Sequence, residues 1–402
     1  MKLNIFITLL LIHICAASFA QVTADNAALA VSAENIKKNS TLQEEITAKI
    51  KNATDVKSVT LKGGVKYEGQ LKGKKPNGYG RAVYPNGDSY EGCFSRGTRQ
   101  GLGIYTYRDG ERYEGAFLND RQHGKGVYYF NDGRLYDGFW EVDYMHGYGK
   151  MEYPGGDVYV GSWSEDKRSG TGSYFFVNGA SYSGEWQADK YNGMGTFVWN
   201  NNSKYVGEWK NGLCHGDGKF FYSNGDVYSG AWVNNMRHGK GEYLFADSSK
   251  YIGDYAGDKW NGKGVYTAAD GTRYEGEFSA GSRNGYGKMR YTNGAVYDGN
   301  WADNQRSGKG KYTWANGDVY EGDWADDMMN GEGILRLANG KKYKGGFLNG
   351  EEHGHGVAVD VDGTRYEGTF EEGQRDGKFI VKDALGKIIR ECTYNMGTIS
   401  NK

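Results

Sequence analysis

Histidines are the residues of this sequence best suited to metal binding or acid–base catalysis, but their spacing argues against both roles. Five of them recur at multiples of 23 residues, namely His123, His146, His215, His238 and His353. Elsewhere the same place in the interval carries Asn, Ser, Gln or Asp, so it requires a polar side chain rather than an imidazole. His353 and His355 could form a metal-binding pair, but no third or fourth ligand accompanies them. We therefore predict no metal site and no cofactor.

Two other signatures of chemistry are also periodic. Gly-x-Gly strings, such as Gly124 and Gly126, recur in nearly every 23-residue interval without the strand–turn–helix context of a phosphate-binding loop. Acidic residues are spread along the chain and form no isolated pair of the kind that cleaves glycosidic bonds. The sequence therefore predicts a protein that is not an enzyme.

These regularities come from one 23-residue repeat. A tyrosine begins each of fourteen consecutive units, from Tyr67 to Tyr366, without insertion or deletion. With this tyrosine as position 1, glycine occupies positions 3 and 12 in every unit. Position 14 is glycine except in the last unit, where Phe379 replaces it, and position 5 is aromatic except in the first, where Leu71 stands.

The alternation of residue types within a unit has a period of two, which predicts two β-strands. A four-residue turn at positions 7 to 10 would pair position 5 with 12, 3 with 14 and 1 with 16. A five-residue turn at positions 19 to 23 would pair position 14 with position 5 of the next unit. Each aromatic at position 5 would then cover two glycines, and Trp209 is expected between Gly195 and Gly216.

The composition agrees with a repetitive β-structure. The 402 residues include 65 glycines and 33 tyrosines, and Leu, Ile and Val are too few to fill a compact core of this size. The formal net charge of −1 gives no electrostatic reason to expect nucleic acid or anionic lipid. Cys93, Cys214 and Cys392 lie more than five units apart, so we expect no disulfide within the chain.

The repeat resembles the MORN (membrane occupation and recognition nexus) family. The resemblance rests on the spacing seen at Tyr320, Gly322 and Trp324, followed by Gly331 and Gly333, and it extends over all fourteen units. It implies an all-β fold, an elongated and twisted antiparallel meander of about fourteen β-hairpin repeats. It also implies a scaffold role, with protein or lipid binding.

The N-terminus has the pattern of a signal peptide over residues 1–20. Lys2 precedes an apolar stretch over residues 5–14, and small residues at Ser18 and Ala20 predict cleavage between Ala20 and Gln21. This pattern predicts export to the periplasm, the secretory lumen or the medium. An uncleaved membrane anchor is the alternative.

Three further segments complete the predicted domain organisation. Residues 21–57 are expected to form a helical spacer or an N-terminal cap, with short helices over 25–34 and 41–51. Residues 58–388 form the repeat sheet, and residues 389–402 form a capping half-repeat because they depart from the pattern.

Positions 9 and 10, at the tip of the first turn, are usually basic or amide residues, but several units place apolar side chains there. The candidate residues are Tyr144, Met145, Tyr191, Leu213, Met236, Trp260, Met328 and Met329. They either form an apolar rim that contacts a partner or fold back over the margin of the sheet.

Our leading hypothesis is a non-catalytic protein-binding scaffold with an extended aromatic and glycine surface. Binding of membrane lipid through the tip residues is one alternative, and glycan binding on the aromatic rows is another. The partner's identity and the oligomeric state stay open.

Overall fold

The computed structural model describes residues 42–400. The signal peptide, its cleavage between Ala20 and Gln21, and the helix expected over residues 25–34 lie outside the described residues. The described part begins with one helix, α1, over residues 42–51, and continues as antiparallel β-sheet. The chain divides into two compact units, and each is described by itself. The first unit ends at Ser223 and the second unit begins at Asn224. From here on, each 23-residue segment is called a repeat.

In the first unit every strand pairs antiparallel with the next along the chain. Its strands are β1 Val56–Thr60, β2 Lys66–Lys72, β3 Lys75–Val83, β4 Ser89–Ser95, β5 Thr98–Thr106, β6 Arg112–Leu118, β7 Arg121–Tyr129, β8 Leu135–Glu141, β9 Tyr144–Glu152, β10 Val158–Ser164, β11 Lys167–Phe175, β12 Ser181–Gln187, β13 Lys190–Val198, β14 Lys204–Lys210 and β15 Leu213–Phe221.

The second unit is also a meander in which consecutive strands pair antiparallel. Its strands are β16 Val227–Val233, β17 Met236–Leu244, β18 Lys250–Ala256, β19 Lys259–Thr267, β20 Arg273–Ser279, β21 Ser282–Arg290, β22 Val296–Ala302, β23 Gln305–Thr313, β24 Val319–Ala325, β25 Met328–Arg336, β26 Lys342–Leu348, β27 Glu351–Val359, β28 Arg365–Glu371, β29 Gln374–Lys382, β30 Ile388–Asn395 and β31 Thr398–Ile399. The all-β meander of hairpin repeats is therefore confirmed. The segment predicted as a capping half-repeat contributes β31 and most of β30.

Within a hairpin the predicted register is right at positions 1 and 3 and wrong at position 5. Gly207 pairs with Gly218 as expected, but Trp209 pairs with Cys214 instead of Gly216. The reason is a tighter turn than predicted, since Asn211 and Gly212 both adopt positive φ, 52° and 86°, and a two-residue turn of this kind matches the twist of a hairpin.

Shortening the turn leaves extra residues on the returning strand. They form a bulge between Cys214 and Gly218, opposite the stretch from Gly207 to Trp209, and within this bulge Gly216 takes a φ of 60°. This backbone conformation favours glycine, which explains why position 12 is glycine in every repeat.

The register between repeats is also shifted from the prediction. Gly207 pairs with Gly195, and Trp209 pairs with Gly193. Position 14 therefore pairs with position 3 of the next repeat instead of position 5. The second turn is shorter than expected and ends earlier, because the Trp199 amide donates to the Ser203 carbonyl at 2.9 Å and leaves only residues 200–202 between them. Asn202 closes this turn with a φ of 65°.

The glycines at positions 3 and 14 are covered by the tyrosine of position 1. The Tyr205 hydroxyl donates to the Glu208 carbonyl at 2.9 Å, which lays the ring along its own strand. A Cβ atom added to Gly207 or Gly218 would collide with this hydroxyl. The expectation that Trp209 lies over Gly195 and Gly216 is therefore wrong. The Tyr182 ring occupies the space over Gly195, and the Glu208 side chain occupies the space over Gly216.

The two sheet surfaces differ in their residues. We call the surface that carries positions 1, 3, 5, 10, 14, 16 and 18 the front face, and the surface that carries positions 2, 4, 13, 15 and 17 the back face. Helix α1 lies on the back face of the first strands. There the Gln43 side chain donates to Glu91 at 3.0 Å and accepts from Arg112 at 3.1 Å, and the Lys49 ammonium lies 5.3 Å from the Tyr79 ring centroid.

Candidate binding surface

The innermost row of the front face alternates tyrosines of position 1 with aromatics of position 5. Trp209 meets Tyr182 and Tyr205 edge to face, with ring centroids 5.6 and 5.1 Å apart. Its indole nitrogen donates to the Gly195 carbonyl at 3.2 Å. Tyr182 and Tyr205 are fully buried and Trp209 is 6% exposed, so this row supports the fold and offers no contact surface.

Position 10 covers this inner row. The Arg168 guanidinium lies 4.4 Å from the Trp186 ring centroid and pairs with Asp189 at 3.0 Å, while Asp189 also accepts the Arg168 backbone amide at 3.1 Å. Asp189 belongs to position 8 of the following repeat, so each such pair ties two repeats together. The same arrangement recurs at Arg99 with Asp120, Arg237 with Asp258, and Arg306 with Asp327.

The candidate residues of position 10 take the place of this arginine. Tyr191 stacks on Tyr182 at 3.9 Å, and Trp260 stacks on Tyr251 at 4.3 Å with nearly parallel rings. Met145, which is 7% exposed, pairs across the hairpin with Trp140, as Met329 does with Trp324. These four side chains therefore lie on the front face over the sheet.

The candidate residues of position 9 are placed differently. Each follows the two-residue turn, and Tyr144 is 50%, Leu213 36%, Met236 45% and Met328 41% exposed. The eight candidates thus do not form one surface, because successive residues of a strand point to opposite faces. Of the eight candidates, only the four of position 9 are exposed, whereas Tyr191, Trp260 and Met329 are half-buried and Met145 is buried.

A second row of rings on the front face was not singled out as a candidate in the sequence. Aromatic residues at positions 16 and 18 form an unbroken series of contacts in the first unit, with neighbouring centroids 4.4 to 5.8 Å apart. We call this series the aromatic ladder, and it consists of Tyr153, Tyr174, Phe176, Phe197, Trp199, Phe220 and Tyr222. All seven side chains are half-buried. The recurrence of aromatics two residues apart on a strand is the signal that could have revealed it.

A hydrogen bond fixes the hydroxyl group of one ladder residue, Tyr174. The Tyr174 hydroxyl donates to Asp157 at 2.8 Å, and the other Asp157 oxygen accepts the Val177 amide at 2.8 Å. Burial, and then the Asp157 carboxylate, raise the pKa of Tyr174 far above its ordinary value. This hydroxyl therefore stays protonated and remains a donor at any physiological pH.

Groups with potential for catalysis or metal binding are dispersed. Within residues 42–400 no three His, Cys, Asp or Glu side chains converge as metal ligands, and His355 approaches Glu367 only to 4.0 Å. No disulfide joins Cys93, Cys214 and Cys392. Burial raises the pKa of the Cys214 thiol to about 12, which disfavours the reactive thiolate. No helix of the described part has both the length and the apolar character needed to cross a bilayer.

Solved structures with similar stretches of chain include the TCP domain of SAS-4 from Drosophila melanogaster in complex with a proline-rich motif of Ana2. The two chains are 13% identical, with 39% of this chain and 85% of that chain covered and a TM-score of 0.25. The virginiamycin B lyase of Staphylococcus aureus is 11% identical, with 72% and 94% covered and a TM-score of 0.12. No curated protein matched the sequence.

The family comparison, by contrast, covers most of the chain. The MORN repeat model matches fourteen consecutive segments, at residues 67–89, 90–112, 113–133, 136–158, 159–181, 182–204, 205–227, 228–250, 251–273, 274–296, 297–319, 320–342, 343–365 and 366–378. These segments begin at the tyrosines of position 1, so the match and the hairpin structure describe the same unit. The chain therefore belongs to the MORN repeat family.

Proposed function

We propose that this chain is an exported, non-catalytic scaffold that binds an extended segment of a partner protein along the aromatic ladder. One observation carries the proposal, namely the unbroken contact of seven half-buried rings from Tyr153 to Tyr222. Rings already packed against each other lose little conformational freedom when a ligand covers them, so their remaining exposed area is available for binding at low entropic cost. MORN repeats in general are non-catalytic scaffolds that mediate protein or membrane interactions.

The relative orientation of the rings favours a polypeptide over a glycan. Neighbouring rings of the ladder are tilted by 36 to 47° to each other, so they form a corrugated surface and not a flat one. A sugar ring stacks best on a flat, open aromatic face, whereas alternating grooves accommodate the side chains of an extended peptide.

Charge and exposure argue against lipid as the main ligand. The formal net charge of −1 gives no overall electrostatic attraction to anionic lipid. The exposed apolar tips, such as Leu213 and Met236, are single side chains at the ends of hairpins. A bilayer contact needs a larger continuous apolar area than isolated tips provide.

The test compares two variants of the full chain, immobilised on a support. Phe176→Ser combined with Trp199→Ser removes the middle of the ladder, and Leu213→Ser is a matched control that removes an apolar tip. We expect a discrete protein from the native compartment to be retained by the wild type and by Leu213→Ser, and at least tenfold less by the ladder variant. Circular dichroism of both variants checks that the sheet is intact.

Two outcomes would contradict the proposal. Retention of phosphatidylcholine–phosphatidylglycerol vesicles that is lost in Leu213→Ser, without any protein retained, would indicate a lipid-binding protein. Retention on polysaccharide that is lost in Trp199→Ser would indicate a glycan-binding protein.

The export part of the proposal rests on the N-terminal sequence and has its own test. The apolar stretch over residues 5–14 and the small residues before Gln21 support cleavage and export. We expect the N-terminal sequence of the native protein to begin at Gln21. A native chain that retains Met1 in the cytoplasm would contradict this part and leave the ladder hypothesis untouched.

A further inference from the structure

Arg283, at position 10 in the second unit, lacks the acidic partner that four other arginines of this position have. In the following repeat Arg306 pairs with Asp327 at 2.9 Å, but the residue that takes the place of this aspartate beside Arg283 is Asn304. The Asn304 side chain accepts the Arg283 backbone amide at 2.9 Å. The neutral amide therefore keeps the geometry of the contact and removes its negative charge.

The positive charge of Arg283 is not neutralised by the described part of the chain. Its Nη2 group donates to the Asn304 carbonyl at 2.9 Å, whereas its Nη1 group makes no hydrogen bond and no carboxylate forms an ion pair with it within residues 42–400. The side chain is half-buried, and burial lowers the pKa of the guanidinium from its ordinary value. Because arginine nevertheless stays charged in proteins, this position favours an anion as a partner.

In other repeats two tyrosines cover the outer side of the arginine. One comes from position 18 of the preceding repeat and the other from position 16 of the arginine's own repeat. Beside Arg306 they are Tyr291 and Tyr312, whose ring centroids lie 6.1 Å apart, and the guanidinium lies 5.2 Å from the Tyr312 centroid. The equivalent tyrosines beside Arg99 and Arg168 have centroids 5.9 and 5.8 Å apart. Each of these three arginines therefore has both a carboxylate and a pair of rings.

Beside Arg283 neither of these two rings is present. The two positions are occupied by Ala268 and Met289, and a pocket of about 460 Å³ lies at this place on the front face. Its lining includes Trp260, Tyr266, Phe278, Arg283, Met289 and Tyr291. The volume lies in the range of roughly 300–1,000 Å³ that is typical of small-molecule sites, which are also mainly apolar with a few polar groups. The same arginine has thus lost its carboxylate and its covering rings.

We propose that this pocket binds an apolar carboxylate, meaning a ring or a branched hydrocarbon that bears one carboxylate group. The carboxylate would supply the charge that Asn304 lacks and accept charge-assisted hydrogen bonds from Arg283. The apolar body would fill the space that Tyr291 fills beside Arg306. Among the described residues that line the pocket Arg283 is the one cation, so a singly charged carboxylate matches it better than a phosphate.

The same chemical group occurs in a free carboxylic acid and in the C-terminal residue of a peptide. Both present one carboxylate next to an apolar body, and the experiment below separates them. The inference is independent of the aromatic ladder, because the ladder residues belong to the first unit and the pocket belongs to the second.

Calorimetric titration of the full chain with hydrocinnamate and with its neutral amide tests the proposal. We expect saturable binding of the acid by the wild type, and binding of the amide that is weaker by roughly tenfold or more. Asn304→Asp places a carboxylate of the chain beside Arg283, as in four other repeats, and should weaken binding of the acid by roughly tenfold or more. Asn300→Asp makes the same change on the back face of the same repeat and should leave the affinity unchanged.

A second variant tests the pocket rather than the charge. Ala268→Tyr introduces the ring that covers Arg306 and should abolish binding of hydrocinnamate, while circular dichroism shows an intact sheet. A peptide that ends in phenylalanine with a free carboxylate separates the two sources. Binding of this peptide more tightly than hydrocinnamate would assign a peptide C-terminus to the pocket, and the reverse order would assign a free acid.

Three results would overturn the proposal. The first is the absence of saturable binding of both the acid and the peptide by the wild type. The second is equal affinity of the wild type and Asn304→Asp for hydrocinnamate, because the charge of Arg283 would then have no role. The third is binding of the neutral amide as tightly as the acid, which would indicate an apolar pocket without selectivity for a carboxylate.

Discussion

The front and back faces of this sheet follow different rules, although the same strands build both. On the front face the tyrosine of position 1 recurs in all fourteen units and is almost wholly buried in most of them. On the back face the same strands carry apolar side chains in part of the first unit. The back face of the second unit carries ion pairs, such as Lys240 with Asp254 at 2.6 Å and Lys309 with Asp323 at 2.7 Å.

The difference shows that one face is sufficient to hold the fold. Each tyrosine of position 1 except Tyr366 fills the space above two glycines, and a Cβ atom there has no room. The aromatics of position 5 then fill the gaps between successive tyrosines, as Trp209 does between Tyr182 and Tyr205. Because this packing is complete on the front face, the back face is free to vary from repeat to repeat.

The largest effect is expected from adding a side chain beneath a tyrosine. In Gly195→Val the new Cβ atom would collide with the Tyr182 ring, so the free energy of unfolding should fall by about 3 kcal/mol or more. The back-face neighbour Thr196→Val is the control and should change it by less than about 0.5 kcal/mol. Chemical denaturation measures both, and equal effects would show that the two faces do not differ.

A slightly smaller loss of stability is expected when a buried aromatic ring is removed. Trp209→Ala deletes three edge-to-face ring contacts and a hydrogen bond, and should lower the free energy of unfolding by about 3 kcal/mol. Trp199→Ala, in the half-buried ladder, should cost about 1 kcal/mol. Hydrogen exchange should show the loss near β13–β15, with β4–β6 still protected. Loss of protection in all strands at once would indicate a shared core.

A pH-dependent effect is expected at Glu352, a carboxyl group at position 10 of the front face. Burial raises its pKa from 4.5 to about 7, against the opposing effect of Arg375. A raised acid pKa means that the native state binds the proton more tightly, so the stability that this group contributes is complete below pH 4.5 and lost as the pH rises through 7.

The free energy of unfolding of Glu352→Gln should therefore match that of the wild type near pH 4.5 and exceed it by about 1 to 2 kcal/mol above pH 7. The expected gain is modest because solvent partly screens a half-buried carboxylate. Thermal unfolding across this pH range provides the measurement. A difference between the two proteins that stays constant with pH would show that this part of the front face tolerates charge.

The smallest effect is expected on the back face of the second unit. Lys309 is 73% exposed in its side chain, so its ion pair with Asp323 is well solvated. Lys309→Ala should change the free energy of unfolding by less than about 0.5 kcal/mol, and less still in high salt. A loss above 1 kcal/mol would mean that the back face contributes to the fold as the front face does.

By itself the sequence determined the repeat, the hairpin and the family, because glycine and tyrosine at fixed positions can be counted without coordinates. Gly207 opposite Gly218 and Tyr205 opposite Phe220 were predicted from the alternation of residue types together with a four-residue turn. The positive φ of Asn202 also follows, since asparagine tolerates that conformation in the turn where other repeats place glycine.

The tertiary structure alone decided which ring covers which glycine. Turn length sets the register, and two residues such as Asn211 and Gly212 can close a turn that the sequence pattern also allows to be four residues long. The tighter turn moves Trp209 from a glycine partner to Cys214 and leaves the tyrosine ring over the glycines. Likewise, Leu213 and Cys214 are adjacent in sequence, yet only the register shows that the first is exposed and the second is buried.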